Sequence, residues 1–286
     1  EDPTFDATVM AVNQRARCRP IFRPPHGEVP AEGPCRWEVF LGDDLVLVED
    51  CEVLPQVKRS RAASFEFAPI DSADDGMMDY SGPLKPDFRL EDLAHPVLAR
   101  QCKEFSLDVH LLQRACYTSI MRDHGEEAAW SMTAEQWRAM APVYIHRLRR
   151  VMGIAGDDME AILKLLQVDP YLPQEYVKFG TAKLSDSHGR FWIEDCDALD
   201  DEALGVLGLL VNRPDIGLSA PVAAVNGKAV CQPLADCPEA DGKAVLAWDI
   251  LIDEANQPPA PSDYTALVAG EDLWDHDASV HNYQYR

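Results

Sequence analysis

The sequence predicts an α+β fold, in which a helical bundle is followed by an antiparallel four-stranded sheet with a helical crossover. The first observation is a series of apolar residues at spacings of three and four along residues 96–123, which is typical of a helix with one buried side. The second is the alternation of apolar and polar residues after Tyr176, which indicates half-buried strands. The third is an internal repeat, in which residues 222–253 resemble residues 9–43.

The two copies of the repeat align without a gap through their first half. The identical positions are Val9, Ala11, Val12, Asn13, Ala16, Cys18 and Pro20, which fall on Val222, Ala224, Val225, Asn226, Ala229, Cys231 and Pro233. After a turn of different length, residues 37–41 fall on residues 248–252. Such self-similarity indicates duplicated supersecondary units. We therefore predict that residues 1–53 are a partial repeat, a helix and a β-hairpin, of the C-terminal part of a complete unit at residues 79–253.

An isolated two-stranded hairpin is only marginally stable in water. We therefore expect the partial repeat to pack on the complete unit, within one chain or across a homodimer. Its predicted elements are a helix over residues 2–13, strands at 17–22 and 35–41, and a further strand at 44–53. Residues 54–78 have weak periodicity and predict a linker. We expect this linker to be ordered only where Phe65 and Phe67 pack against other residues.

The helical half of the complete unit has clear boundaries in the sequence. Gly125 ends the long helix at 96–123, because glycine readily adopts the left-handed conformation found after a last helical turn. A short helix is predicted at 126–132. Thr133 and Gln136 form a capping-box pattern that predicts a new helix over 134–152. Asp157 predicts the cap of a third helix at 158–167.

The second half of the complete unit predicts a sheet. A hairpin is expected from residues 176–184 and 190–195, and helices from residues 201–212 and 219–226. The last two strands are expected at 229–234 and 243–253. Residues 254–286 form a Pro- and Asp-rich acidic tail that we expect to be poorly packed.

Composition restricts the class of function. The formal net charge of −23 repels phosphate backbones and anionic lipid, so we expect neither nucleic acid nor membrane as a partner. No apolar run approaches the ~18 residues of a spanning helix, and no signal-peptide pattern is present. The eight cysteines form no CxxC pair, which favours a reducing, cytoplasmic compartment. Because the chain begins at Glu1 and not at methionine, we expect that it was trimmed or belongs to a longer chain.

Several motifs with known chemistry do not occur in the sequence. It contains no P-loop, no GxGxxG after a strand, no HExxH and no GxSxG. These absences argue against nucleotide-dependent enzymes, zinc proteases and α/β-hydrolases, and we expect no cofactor. The question of a metal is open, since His276, Asp277 and His281 in the tail have metal-ligating side chains without a fixed spacing.

Residues 79–130, 156–173 and 192–196, together with the C-terminal strand pair, resemble an uncharacterised bacterial family that is distantly similar to L-2-amino-thiazoline-4-carboxylic acid hydrolase. The resemblance implies an α+β fold and the opening of a C–N or C–S bond in a small organic acid. The last strand of that family carries a Cys-Arg-Trp-Glu pattern. The first copy of the repeat keeps it at residues 35–38, whereas residues 246–249 read Leu-Ala-Trp-Asp.

Cys196 and His110 are the predicted catalytic pair. Cys196 follows a predicted strand among three carboxylates, which favour a neutral thiol or a metal ligand over a reactive thiolate. His110 belongs to a polar row on the long helix that borders the apolar one and includes Gln113 and Tyr117. This polar row either lines a cavity between the helices and the sheet or is a partly exposed side of the helix. Cys196 is either a nucleophile or a half-buried cysteine at the end of a strand.

A cationic cluster supplies the predicted carboxylate site. Arg147 and Arg149 lie close together in an otherwise acidic chain and could receive a substrate carboxylate or pair with the protein's own acidic residues. With Gln113 and Tyr117, they complete the predicted substrate-binding set. The sequence thus leaves two functions: a hydrolase-like protein that binds a small organic acid, or a non-catalytic binding or assembly subunit with a protein partner.

Overall fold

A computed structural model of the chain describes residues 9, 12–13, 15–22, 36–42, 52–71, 75–200 and 204–256. The chain divides into two compact units, Glu1–Cys51 and Glu52–Arg286, which we call the hairpin unit and the main unit. The main unit combines long helices with an antiparallel four-stranded sheet, which confirms the predicted α+β class. No described helix is both long enough and apolar enough to cross a membrane.

The hairpin unit contains strands β1 (Ala16–Phe22) and β2 (Arg36–Leu41), which pair antiparallel as predicted. Ala16 and Cys18 are buried, whereas Val39 and Leu41 are 59% and 69% exposed. Most of the helix predicted at 2–13, and nearly all of the strand predicted at 44–53, lie outside the described residues.

The linker predicted at residues 54–78 contains two short helices, α1 (Leu54–Lys58) and α2 (Arg61–Ser64), and belongs to the main unit. Ser60 caps α2, because its hydroxyl oxygen accepts a hydrogen bond from the Ala63 amide. Phe67 is buried, and Phe65 packs edge-on against both Phe67 and Tyr176. These aromatic contacts hold a segment whose sequence has no helical period.

Two long helices follow a 3-10 turn at Leu90–Asp92: α3 (His95–His124) and α4 (Glu126–Met152). They are joined through Gly125 alone, whose φ of +88° favours glycine. The predicted break before residue 134 is wrong, because Thr133 lies inside α4 and its hydroxyl donates to the Ala129 carbonyl instead of capping a new helix.

Helix α3 buries a different side from the one that its apolar pattern predicts. Phe105 and Leu112 of the predicted apolar row are 57% and 62% exposed, whereas His110, Gln113 and Tyr117 of the polar row are buried. Helix α3 packs on α4 and on a later helix over Gly205–Asn212. The buried side is therefore set by partners far away in the sequence, which periodicity cannot specify.

Helix α5 (Met159–Gln167) is capped by Asp158, whose carboxylate accepts a hydrogen bond from the Ala161 amide, and not by Asp157 as predicted. In the crossover after β4, the residues that the structure describes form four short helices, and the last of these helices precedes the final strand pair. They are α6 (Asp197–Asp200), α7 (Gly205–Asn212), α8 (Pro214–Gly217) and α9 (Ser219–Val225).

The main sheet has the order β3-β4-β6-β5, and every neighbouring pair is antiparallel. Its strands are β3 (Phe179–Lys183), β4 (His188–Glu194), β5 (Ala229–Leu234) and β6 (Ala244–Ile252). Trp248 and Ile250 of β6 are fully buried in a core shared with α5 and Phe191. This arrangement confirms the predicted four-stranded sheet with its helical crossover.

The hairpin unit and the β5–β6 hairpin share one local structure. The cross-strand pairs Ala16↔Leu41, Cys18↔Val39 and Pro20↔Trp37 correspond, through the repeat alignment, to the following pairs of β5 and β6: Ala229↔Ile252, Cys231↔Ile250 and Pro233↔Trp248. The turn before the first strand also corresponds, since the side chains of Asn13 and Asn226 accept hydrogen bonds from the Arg15 and Lys228 amides. The two stretches therefore have the same strand register and the same entry turn.

Candidate functional site

His110 lies in the middle of α3 and is buried. Its ring packs edge-on against Tyr176 at a centroid distance of 5.6 Å. Burial lowers the pKa of His110 to about 4, and a hydrogen bond with the Tyr171 backbone only partly opposes this effect. The imidazole is therefore neutral at pH 7, and its buried Nε2 atom has no hydrogen-bond partner.

Cys196 is also buried, and it belongs to the same hydrophobic core as Tyr176. It lies between β4 and α6, where its carbonyl accepts a hydrogen bond from the Leu199 amide and the neighbouring Ala198 amide donates to the Tyr176 carbonyl. His110 thus contacts Tyr176 directly, and Cys196 shares a hydrophobic core with that tyrosine. Within the described ranges, no group of three or more His, Cys, Asp or Glu side chains is placed to hold a metal ion.

Gln113 and Tyr117 continue the buried row of α3. A Cβ atom built on Gly205 would lie 2.8 Å from the Gln113 Cβ, so the start of α7 sits directly on this glutamine. The ring of Tyr117 packs edge-on against Trp130 of α4 at 4.7 Å. These contacts leave the two side chains inside packed helix interfaces.

The predicted carboxylate-binding arginines lie elsewhere. Arg147 is exposed on α4, and Arg149 donates from Nη2 to the Gly156 carbonyl at 2.6 Å, which fastens the loop after that helix. The structure therefore places His110 against Tyr176, whose core also contains Cys196, and places the two guanidinium groups at the exposed side and the C-terminal end of α4.

A buried carboxyl group close to this core was missed in the sequence. Asp169 accepts hydrogen bonds from the Tyr144 hydroxyl and the Tyr171 amide, both at 2.9 Å. Burial raises the pKa of Asp169 to about 7, although these two hydrogen bonds oppose the shift. The same burial raises the pKa of Tyr144. The only sequence signal was one acidic residue inside the apolar stretch that links α5 to the sheet.

A second polar cluster involves the central strands of the sheet. Asp249 of β6 accepts hydrogen bonds from His188 Nε2 at 2.7 Å and from Arg190 Nε at 2.8 Å. Arg190 also donates to Glu239. Partial burial opposes ionisation of Asp249, but the hydrogen bonds from Arg190 and His188 prevail and lower its pKa. Arg190 thus pairs with both Asp249 and Glu239, as in a structural ion network.

The described surface of the main unit includes two open clefts. One, with a volume of about 300 Å³, lies along Gln174 to Thr181 and reaches Glu194. The other, with a volume of about 530 Å³, lies between the end of α4 and helix α5. None of the six predicted site residues lines either cleft.

Comparisons of the chain with protein-family models, with curated proteins and with solved structures gave no match. The closed packing around His110 and Cys196 suits a polar core better than a site that admits substrate.

Proposed function

We propose that this protein is a non-catalytic binding or assembly subunit, and that its hairpin unit carries the surface that binds a protein partner. The observation that carries this proposal is a difference in burial between equivalent residues. Val39 of the hairpin unit is 59% exposed, whereas its counterpart Ile250 is fully buried in the main unit. Apolar residues that are exposed at positions where the equivalent strand is buried indicate an interaction surface.

The core of the main unit supports the same proposal. His110 and Cys196 are both buried among packed side chains, and a thiol protected from solvent is inert. A neutral imidazole at this position contributes packing through Tyr176. These side chains need no catalytic role to account for their positions.

The compartment and the class of partner follow from charge and cysteine chemistry. The net charge of −23 disfavours nucleic acid and membrane surfaces, so the partner in this proposal is a protein. Free thiols occur at Cys102, Cys116, Cys196, Cys231 and Cys237, which supports a reducing, cytoplasmic location.

Thiol labelling of the folded chain tests the non-catalytic role. We expect iodoacetamide to alkylate the exposed Cys102 rapidly and Cys196 only after unfolding, because alkylation requires an accessible thiolate. Peptide mass spectrometry measures both sites in one sample, so Cys102 is the internal control. Labelling of Cys196 at the rate of Cys102 would contradict the proposal.

A second candidate is the hydrolase-like function on a small organic acid, with opening of a C–N or C–S bond. The observation that favours it is the buried Nε2 of His110, which lacks a hydrogen-bond partner and could bind a polar ligand if the core opened. Incubation with 2-amino-thiazoline-4-carboxylate separates the two candidates. Ring-opened product that Cys196→Ser abolishes would favour the hydrolase, whereas no product from either protein is expected for the subunit.

A further inference from the structure

Helix α3 has a second apolar side, which lies away from the buried row of His110, Gln113 and Tyr117. On this side, Phe105 and Leu112 are 57% and 62% exposed. The apolar residues of this side, which we call the outer row, are Leu98, Cys102, Phe105, Val109, Leu112 and Cys116. Each of them is exposed or half-buried, and every residue of α3 and α4 is described. The outer row is therefore an apolar surface of the main unit that the described residues leave largely uncovered.

The spacing of the outer row indicates which kind of element fits it. Successive members are four, three, four, three and four residues apart, which is the period of about 3.5 residues found in coiled coils. In a coiled coil, the residues at these positions pack against the same positions of a second helix. Ser119 continues the spacing with a small side chain. The outer row therefore fits a helix that carries the same seam.

The outer row contains no charged residue, and this bears on the identity of the second helix. The chain has a net charge of −23, so repulsion opposes self-association through most of its surface. The acidic residues Glu104 and Asp108 of α3 lie beside the outer row and not within it. Two copies of this acidic chain can therefore meet along the outer row without burying a carboxylate, and a second α3 supplies the seam that the spacing requires.

We propose that the outer row of α3 binds the outer row of a second copy of this chain, with the two helices antiparallel about a two-fold axis that crosses α3 between residues 110 and 111. The residues that then face each other across the dimer are Cys102 and Ser119, Phe105 and Cys116, and Val109 and Leu112. The bulky ring of Phe105 thus lies opposite a small side chain, and the central pair is aliphatic. This surface belongs to the main unit, so the inference goes beyond the hairpin surface of the proposed function and does not depend on it.

The residues that flank the outer row favour this register. They are Gln101, Asp108, Ala115 and Arg122. In the proposed register, Asp108 lies beside Ala115 of the second copy and Arg122 lies beside Gln101, so no like charges meet. A shift by one heptad would instead bring the two Asp108 carboxylates together at the axis, where they repel each other. The charges therefore select the axis between residues 110 and 111.

Sedimentation of the full chain over a range of concentrations tests the dimer. We expect the wild type to dimerise, and Leu112→Glu to raise the dissociation constant by about tenfold or more, because the seam would bury a carboxylate. Leu84→Glu is the matched control, since Leu84 is also exposed in the main unit (84%) but lies outside α3. Both variants should keep the circular dichroism of the wild type. A monomeric wild type, or a dimer equally stable in Leu112→Glu, would overturn the proposal.

Disulfide cross-linking tests the antiparallel register. We expect Ser119→Cys to form a covalent dimer under mild oxidation, through a disulfide between the new thiol and Cys102 of the second copy. Peptide mass spectrometry identifies the linked residues, and the wild type, which has serine at that position, is the control. A disulfide that joins Cys102 to Cys102 would indicate parallel helices and would overturn the proposal.

Protection of Cys102 from alkylation gives a further measurement. Cys102 is exposed in the single chain and lies in the proposed seam, so its reaction with iodoacetamide should be rapid below the dissociation constant and slow above it. The comparison of Cys102 with Cys196 is therefore made below that constant. In Leu112→Glu, we expect rapid alkylation of Cys102 at both concentrations. A rate that is independent of concentration in the wild type would contradict burial of the outer row between two copies.

Discussion

At the scale of single residues, burial shifts the pKa values of two groups in the main unit, Asp169 and His110, in opposite directions. Asp169 has a pKa raised to about 7, so it favours the folded state when protonated. His110 has a pKa lowered to about 4, so it favours the folded state when neutral. Both groups hydrogen bond to the Tyr171 backbone, which lies between them. Their effects on stability therefore run in opposite directions over the same range of pH.

The sign of each effect gives a testable pH profile. Asp169 contributes stability below its ordinary pKa of 3.8, and this stability is lost as the pH rises towards 7. His110 contributes stability above its ordinary pKa of 6.5, and this stability is lost as the pH falls towards 4. For the wild type we expect a nearly flat free energy of unfolding between pH 4 and 6.5 from these two groups.

Replacing one of the two groups should reveal the pH dependence that the other group gives to the free energy of unfolding. In Asp169→Asn we expect the free energy of unfolding to rise with pH between about 4 and 6.5, by at most about 1.4 kcal/mol per pH unit relative to the wild type. Urea titrations at several pH values measure this slope. Asp236→Asn, at an exposed position, should remain parallel to the wild type. A parallel profile for Asp169→Asn would contradict the raised pKa.

At the scale of elements, the close approach of α7 to α3 decides which side of α3 is buried. Gly205 begins α7 with a φ of +65°, a conformation that favours glycine. Its Cα lies so close to Gln113 that an added Cβ would overlap the glutamine Cβ at 2.8 Å. This contact covers the polar row of α3 and leaves Phe105 and Leu112 outside.

Gly205→Ala should therefore destabilise the main unit. We expect a loss of about 2–4 kcal/mol in the free energy of unfolding, from backbone strain together with steric overlap. Gly82→Ala is the control, because a Cβ there meets no atom within 4 Å, and we expect a change of less than about 0.5 kcal/mol. Equal losses in the two variants, measured by urea titration, would contradict the close packing of α7 on α3.

At the scale of the whole molecule, the chain contains one hairpin structure in two environments. In the main unit Ile250 lies in the core, and the Trp248 indole donates to the Pro214 carbonyl at 2.8 Å. In the hairpin unit the counterpart Val39 is exposed. With the same strand register, equivalent side chains are therefore buried in the core of one unit and exposed on the surface of the other.

This difference predicts unequal costs for equivalent substitutions. Ile250→Ala should lower the free energy of unfolding of the main unit by about 2–5 kcal/mol, because it removes fully buried methylene groups. Val39→Ala should change it by less than about 0.5 kcal/mol. Circular dichroism in urea, at protein concentrations too low for association, measures both. A similar cost at the two positions would mean that the exposed side of β2 is covered within one chain.

The sequence by itself determined the fold class, the positions of the sheet-forming segments along the chain and the correspondence between residues of the two hairpins. These features follow from local patterns, since period-two alternation fixes the sides of a strand and a repeat alignment transfers its pairs. The alignment pairs Trp37 with Trp248, and in the structure each lies opposite a proline, Pro20 and Pro233 respectively. The two long helices were also predictable, apart from the false break at Thr133.

Only the tertiary structure decided the environments of the candidate site residues. Burial of His110 depends on Tyr176, and that of Gln113 depends on Gly205, and both partners lie far along the chain. The same holds for Asp169, whose carboxyl is covered by α4 through Tyr144. A sequence pattern fixes which residues share one side of a helix, but the element that packs on that side is chosen by the free energy of the whole core.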